Sequence, residues 1–169
     1  VVDDPPNGVV YVADGSGNRR LPLFNKNGEF VRQWARQATP QETIDGVSGA
    51  FAQLVHCIAM SRAGLIYVCD RQGDRVQVFD KMGTFVRNIW VRTGTPTLPD
   101  PRGTVWWIAF SRDPEQKFMY VMNGRNEQLH ILDHGSGKIL SSYGQHGHWL
   151  GNFTHGHGVA VDPSGSLYI

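Results

Sequence analysis

The residues able to do chemistry are few and unevenly spread. Of seven histidines, four (His146, His148, His155 and His157) fall in one short stretch. If the backbone is extended at 155–157, His155 and His157 share a face, because strand side chains repeat every second residue. Neutral imidazoles on one face suit a metal ion. The competing reading of this stretch is a Gly/His-rich surface loop. Arg71 carries a planar fork that fits a carboxylate, and its plain alternative is a surface loop arginine. Asp14 and Asp70 read as turn-stabilising residues, since Asp closes tight turns through its own backbone. Trp106-Trp107 read as packing between sheets, or as a ligand contact if a channel mouth exposes them. Asn152-Phe153-Thr154 is a glycosylation sequon, meaningful only in a secreted eukaryotic chain. No Ser-His-Asp constellation, phosphate loop or Cys-x-x-Cys site is present.

These residues need a scaffold, and composition limits the choice. The chain has 169 residues, 40% hydrophobic and 18% charged, with a formal net charge of +1. That balance supports a core and argues against a strongly basic nucleic-acid surface. Gly at 20 and Pro at 9 favour many turns and short strands over long helices. No run approaches the ~18 apolar residues of a membrane-spanning helix. The chain opens on Val1-Val2-Asp3-Asp4 and stops at Leu167-Tyr168-Ile169. Both read as strand interiors, so a fragment, a processed chain or a partly resolved chain is expected.

Self-similarity sets the architecture. Residues 9–34, 65–89 and 118–144 align, and a fourth copy begins at Ser166. Tyr11, Tyr67, Tyr120 and Tyr168 are equivalent, at spacings of 56, 53 and 48. Each tyrosine segment follows a short apolar run, so each unit reads as four strands. The inner strands are expected near 1–3, 57–60, 107–110 and 158–161. Val76 and Val78 alternate with Arg75 and Gln77, the period of a half-buried strand. Pro22 aligns with Gln77 and His130, which predicts a local bulge there. Pairing around the Ser61–Gly64 turn sets Cys69 nearly opposite His56, which predicts Cys57 and Cys69 as two buried free thiols.

Tandem four-stranded units are blades of a β-propeller. The expected fold is all-β, with three complete blades and half of a fourth. The blades run about 1–54, 55–104 and 105–156, with 157–169 partial. Such an arc leaves a sheet face bare at each end, so the remaining blades are expected from a longer chain or a second chain.

The pattern of apolar strand, D-x-x-G-x-L-Y-V-x-D, R-V-Q-V-F-D and G-x-F-V resembles an NHL repeat. Within that class the chain resembles the peptidyl-α-hydroxyglycine α-amidating lyases. The likeness rests on Asp14-Gly15-Ser16-Gly17-Asn18-Arg19-Arg20, Phe30-Val31-Arg32-Gln33-Trp34, Val55-His56-Cys57-Ile58-Ala59, Cys69-Asp70-Arg71 and Gly156-His157-Gly158-Val159. It implies a six-bladed ring that binds zinc through three histidines on alternate inner strands, with a calcium in the channel. It implies cleavage of peptidyl-α-hydroxyglycine to a peptide amide and glyoxylate. His56 and His157 match two zinc ligands, the third falling one blade before residue 1, and Arg71 matches an active-site arginine. Two positions depart from the family: its catalytic tyrosine falls at Ser16, and its calcium-binding aspartate at Gly158. The resemblance further implies a secreted or periplasmic protein with a small-molecule or peptide ligand in the channel. The alternative is a non-catalytic propeller serving as a binding platform. Neither nucleic acid nor membrane is expected as a partner.

Overall fold

The computed structural model describes residues 1–91 and 102–169. Among them, three antiparallel sheets of four strands follow one another along the chain. The first holds β1 (Val2–Asp4), β2 (Val9–Tyr11), β3 (Leu21–Asn25) and β4 (Phe30–Trp34). A connector follows, with β5 (Arg36–Gln37), α1 (Pro40–Asp45) and β6 (Ala50–Phe51). The second sheet holds β7 (Val55–Met60), β8 (Ile66–Asp70), β9 (Arg75–Phe79) and β10 (Phe85–Trp90). The third holds β11 (Val105–Phe110), β12 (Phe118–Asn123), β13 (Gln128–Asp133) and β14 (Ile139–Tyr143). A two-stranded sheet of β15 (Ala160–Val161) and β16 (Leu167–Tyr168) begins the next unit. The first strands of neighbouring sheets pack together, β1 on β7, β7 on β11 and β11 on β15. The sheets are therefore blades of a propeller, joined at their inner strands.

The core lies between the blades. One cluster joins Tyr11, Leu21 and Leu23 of the first blade to Ile66, Val68 and Phe79 of the second. Another joins Tyr67, Val76 and Val78 to Ile108, Met119 and Val121 of the third. The second blade thus buries both faces, and this corrects the reading of strand β9 as half-buried. All five of its residues are buried, Arg75 and Gln77 included. Their polar ends bond to the connector: Arg75 Nη2 to the Ala50 and Val47 carbonyls, and Gln77 Nε2 to the Ala50 carbonyl. Helix α1 delivers this connector. A capping box at Thr39 and Glu42 starts it. Gly46 ends it at φ 73°, under Trp90, where a Cβ would strike the indole.

The repeated tyrosine fastens one blade to the next. The Tyr11 hydroxyl reaches the Lys81 carbonyl at 3.4 Å, and Arg32 Nη2 reaches the same carbonyl at 2.7 Å. One blade on, the Tyr67 hydroxyl meets His134 Nε2 at 2.7 Å, and Arg87 Nη2 the His134 carbonyl at 2.7 Å. His134 Nδ1 donates to the Gln116 carbonyl, so Nε2 accepts from the tyrosine.

Pro22 does not bulge its strand. Pairing runs through Leu21↔Trp34, Pro22↔Gln33 and Leu23↔Arg32 without a break. The irregularity falls at Val31, and the same extra residue recurs at Val86 and Leu140 in the other outer strands. It belongs to the repeat. Pro22 instead shortens β2, because it accepts from Val12 N–H but returns no N–H of its own.

Candidate functional site

The site grows from a bulge in the inner strands. In the second blade Ile58 pairs with Val68 and Val55 with Asp70, leaving one extra residue between them. In the third blade Trp107 pairs with Met122 and Val105 with Asn123, leaving Trp106 extra. A bulge re-aims a side chain out of the strict alternation of a strand. Aligned on the paired alanines Ala59, Ala109 and Ala160, the residues His56, Trp106 and His157 occupy one repeat position in three successive blades.

Their rings meet. His56 and His157 lie 4.8 Å apart by centroid, at 62°. Trp106 lies 6.0 Å from His56, 5.5 Å from His157 and 6.3 Å from His155. His56 Nδ1 sits 2.6 Å from the Trp106 carbonyl. A carbonyl only accepts, so Nδ1 carries the proton and Nε2 holds the free lone pair. Burial pulls the His56 pKa below its ordinary value, against the Trp106 hydrogen bond, and Arg71 and His157 lower it further. His56 is therefore held neutral, in one tautomer, with one nitrogen ready to bind a cation.

Arg71 joins the group from the turn after β8. Its guanidinium lies 4.0 Å over the Trp106 ring, a cation–π stack. Arg71 Nε donates to the Arg102 carbonyl at 2.6 Å, and Trp106 Nε1 donates to the same carbonyl at 3.0 Å. The arginine backbone bridges two blades, donating to the Leu54 carbonyl and accepting from Thr104 N–H. Burial lowers its pKa. The first and third blades have glycine at this repeat position. A Cβ on Gly15 would overlap the Val55 carbonyl, and one on Gly124 would overlap the Trp106 indole. Of the three four-stranded blades, the second places a side chain there, and it is the long cation.

The structure thus brings together His56, His157, Arg71 and Trp106. Ser16 follows Gly15, whose Cβ position meets the Val55 carbonyl next to His56. It lines a concavity of about 620 Å³ on the first blade with Asp14, Arg20, Pro22, Phe24 and Phe30, and none of the four site residues lines that concavity. Asp70 does more than close a turn. It forms a fully buried ion pair with Arg75 at 2.8 Å and accepts from Ala52 N–H and Gln77 Nε2. Among the described residues, no group of three His, Cys, Asp or Glu side chains could hold a metal ion.

The cysteines overturn an expectation. Cys57 and Cys69 form a disulfide, with Cα atoms 4.9 Å apart. Ser61 and Leu65 close a turn one residue longer than expected. The register Met60↔Ile66, Ala59↔Tyr67, Ile58↔Val68 then continues to Cys57 opposite Cys69. A one-residue slip moves every side chain to the other face.

The sequence left Trp106 as a packing residue or a ligand contact at a channel mouth. The signal for its role was the repeat itself: His-Cys-Ile-Ala, Trp-Trp-Ile-Ala and His-Gly-Val-Ala stand in register. Asp14-Gly15, Asp70-Arg71 and Asn123-Gly124 likewise marked Arg71 as the exception.

Fold and site define an NHL-type β-propeller arc. No protein-family model matches the chain. It is similar to peptidyl-glycine alpha-amidating monooxygenase B of Xenopus laevis, 28% identical over all of this chain and 18% of that protein. It is similar to mouse (Mus musculus) NHL repeat-containing protein 3, 26% identical over 78% of this chain and 33% of that protein. The chain spans less than a fifth of the length of the two Xenopus amidating relatives it matches. Virginiamycin B lyase of Staphylococcus aureus shares the fold at a TM-score of 0.63 and 14% identity, over 99% of this chain and 46% of that one. The chain is an NHL-type propeller that resembles the amidating enzymes.

Proposed function

We propose that this chain supplies part of a metal centre in an NHL-type propeller that cleaves peptidyl-α-hydroxyglycine-like substrates. The observation that carries the reading is the convergence of His56 and His157, with His56 Nδ1 committed to the Trp106 carbonyl. A ligating histidine characteristically gives its other N–H to a carbonyl, so His56 fits a zinc ligand. Catalytic zinc takes three protein ligands and one open position, and here the third ligand comes from another blade, contributed by a longer chain or a second chain. When bound, zinc lowers the pKa of a coordinated hydroxyl and polarises carbonyl oxygens. Calcium has weaker support, because Gly158 stands at the family's aspartate position. Arg71, stacked on Trp106, offers its guanidinium to the carboxylate of the substrate in the central channel. The disulfide fits an oxidising compartment, secreted or periplasmic.

A binding platform without catalysis is the second reading. It is favoured by Ser16, which carries no phenol where the family has its catalytic tyrosine. Metal analysis of the full-length protein separates the readings. The lyase reading expects about one zinc per chain, lost in His56→Ala, with Arg71→Ala keeping zinc and losing substrate affinity. Zinc that persists in His56→Ala would move the ligands to the His146–His157 stretch. Lack of zinc in the wild type, with no cleavage of an N-acyl-α-hydroxyglycine, would leave the platform.

A further inference from the structure

We propose that the Cys57–Cys69 disulfide is a positioning device that fixes which residue the inner-strand bulge of the second blade turns out, and so aims His56. This rests on the reading of His56 as a metal ligand, but it makes a separate claim about what holds the imidazole.

A bulge is one extra residue in a ladder, and nothing in a ladder alone fixes where that residue falls. Moving it by one position would turn out a neighbour and return His56 to a sheet face. In the second blade the extra residue is bracketed on both sides. On one side stands the covalent rung Cys57–Cys69, buried at 5% and 0% exposure. On the other stands Val55↔Asp70, where Asp70 is locked by Arg75, Gln77 and Ala52 N–H. Between these rungs only His56 is free to be extra.

The third blade shows why a covalent rung is used here. Its bulge turns out Trp106, whose indole is 6% exposed and bonds to the Arg102 and Gly103 carbonyls. Gly124 leaves room for the ring. Packing holds that bulge, and Trp107↔Met122 carries no covalent link. His56 is smaller and only half-buried, and its hydrogen bond is the one to the Trp106 carbonyl. It lacks the buried area to hold its own bulge. The same disulfide ties the strand bearing His56 to the strand that leads, two residues past Cys69, into Arg71. It therefore sets the spacing between the two functional side chains.

The test uses the full-length protein with histidine labelled in its ring nitrogens. Thiol titration of the denatured wild type without reductant should find neither Cys57 nor Cys69 free. Finding both free would end the proposal. Cys57→Ala/Cys69→Ala is then compared with wild type after circular dichroism shows that it folds. Should it fail to fold, Cys57→Val/Cys69→Ala, which restores volume, replaces it. In wild type the His56 ring should show the single Nδ1–H tautomer. In the variant the tautomers should average, and affinity for added Zn²⁺ should fall roughly tenfold or more. A folded variant with the wild-type tautomer would overturn the proposal and leave the disulfide as a staple. If wild type binds no Zn²⁺, the metal reading fails while the ring spectra still decide the positioning claim.

Discussion

The same acid–arginine pair closes the turn after the second strand in two blades, and its environment differs between them. Asp70 and Arg75 have side chains at 0% exposure, whereas Asp14 and Arg20 stand at 30% and 39%. Arg75→Met would leave the Asp70 carboxylate buried with Gln77 and Ala52 N–H, would take the Arg75 donor from the Val47 carbonyl, and would leave the Ala50 carbonyl with Gln77 Nε2. Removing one partner of a buried pair costs about 3–5 kcal/mol. Arg20→Met removes an exposed pair of nearly equal length, 2.8 Å in both cases, and such pairs contribute about 0–1 kcal/mol. With a urea m-value of about 2 kcal/mol/M, the midpoint should fall by about 2 M for Arg75→Met and by less than about 0.5 M for Arg20→Met. Tryptophan fluorescence of urea titrations, with m unchanged, measures both. Equal shifts would refute the claim that the connector 47–52 converts a turn pair into a core pair.

Stability should fall as pH drops from about 6.5, the ordinary histidine pKa. Burial lowers the folded-state pKa of His56 and His130, so below that pH the unfolded chain binds more protons. His130 occupies the repeat position of Gln77, so His130→Gln should flatten the melting-temperature profile between pH 5 and 8; an unchanged profile would place the effect elsewhere. Tyr67→Phe should cost about 1 kcal/mol through the lost His134 bond. Tyr11→Phe should cost less, because its 3.4 Å bond shares a carbonyl that Arg32 already serves; thermal melts that reverse this order would refute the clasp.

Strand identity was readable because the tyrosine spacing and apolar runs repeat, and the structure places inner strands at Val2–Asp4, Val55–Met60, Val105–Phe110 and Ala160–Val161. Burial was harder to read. Arg75 and Gln77 looked solvent-facing because strand alternation is usually a sign of one wet face. In a propeller the neighbouring blade and its connector cover that face, and the polar side chains are satisfied by carbonyls from residues 47–50. The helix α1 that leads into those carbonyls is six residues long, too short for a periodic signal, although Thr39-Pro40-Gln41-Glu42 spelled its cap.

The error at the cysteines and the two open readings of Trp106 share one cause. Both depend on where a single residue is inserted into a ladder, and hydrophobic pattern is nearly silent on that. A turn longer by one residue brings Cys57 to Cys69, and a bulge just beyond it turns out His56. The same bulge in the next blade turns out Trp106 instead. The candidate site is therefore the common repeat altered at a few positions: histidine at the bulge of the second blade, tryptophan at that of the third, histidine at the matching position of the fourth, and arginine where the first and third blades have glycine. The half-buried His56 imidazole and the stacked Arg71 guanidinium add little to packing, which makes them the positions to alter first when asking what the propeller binds.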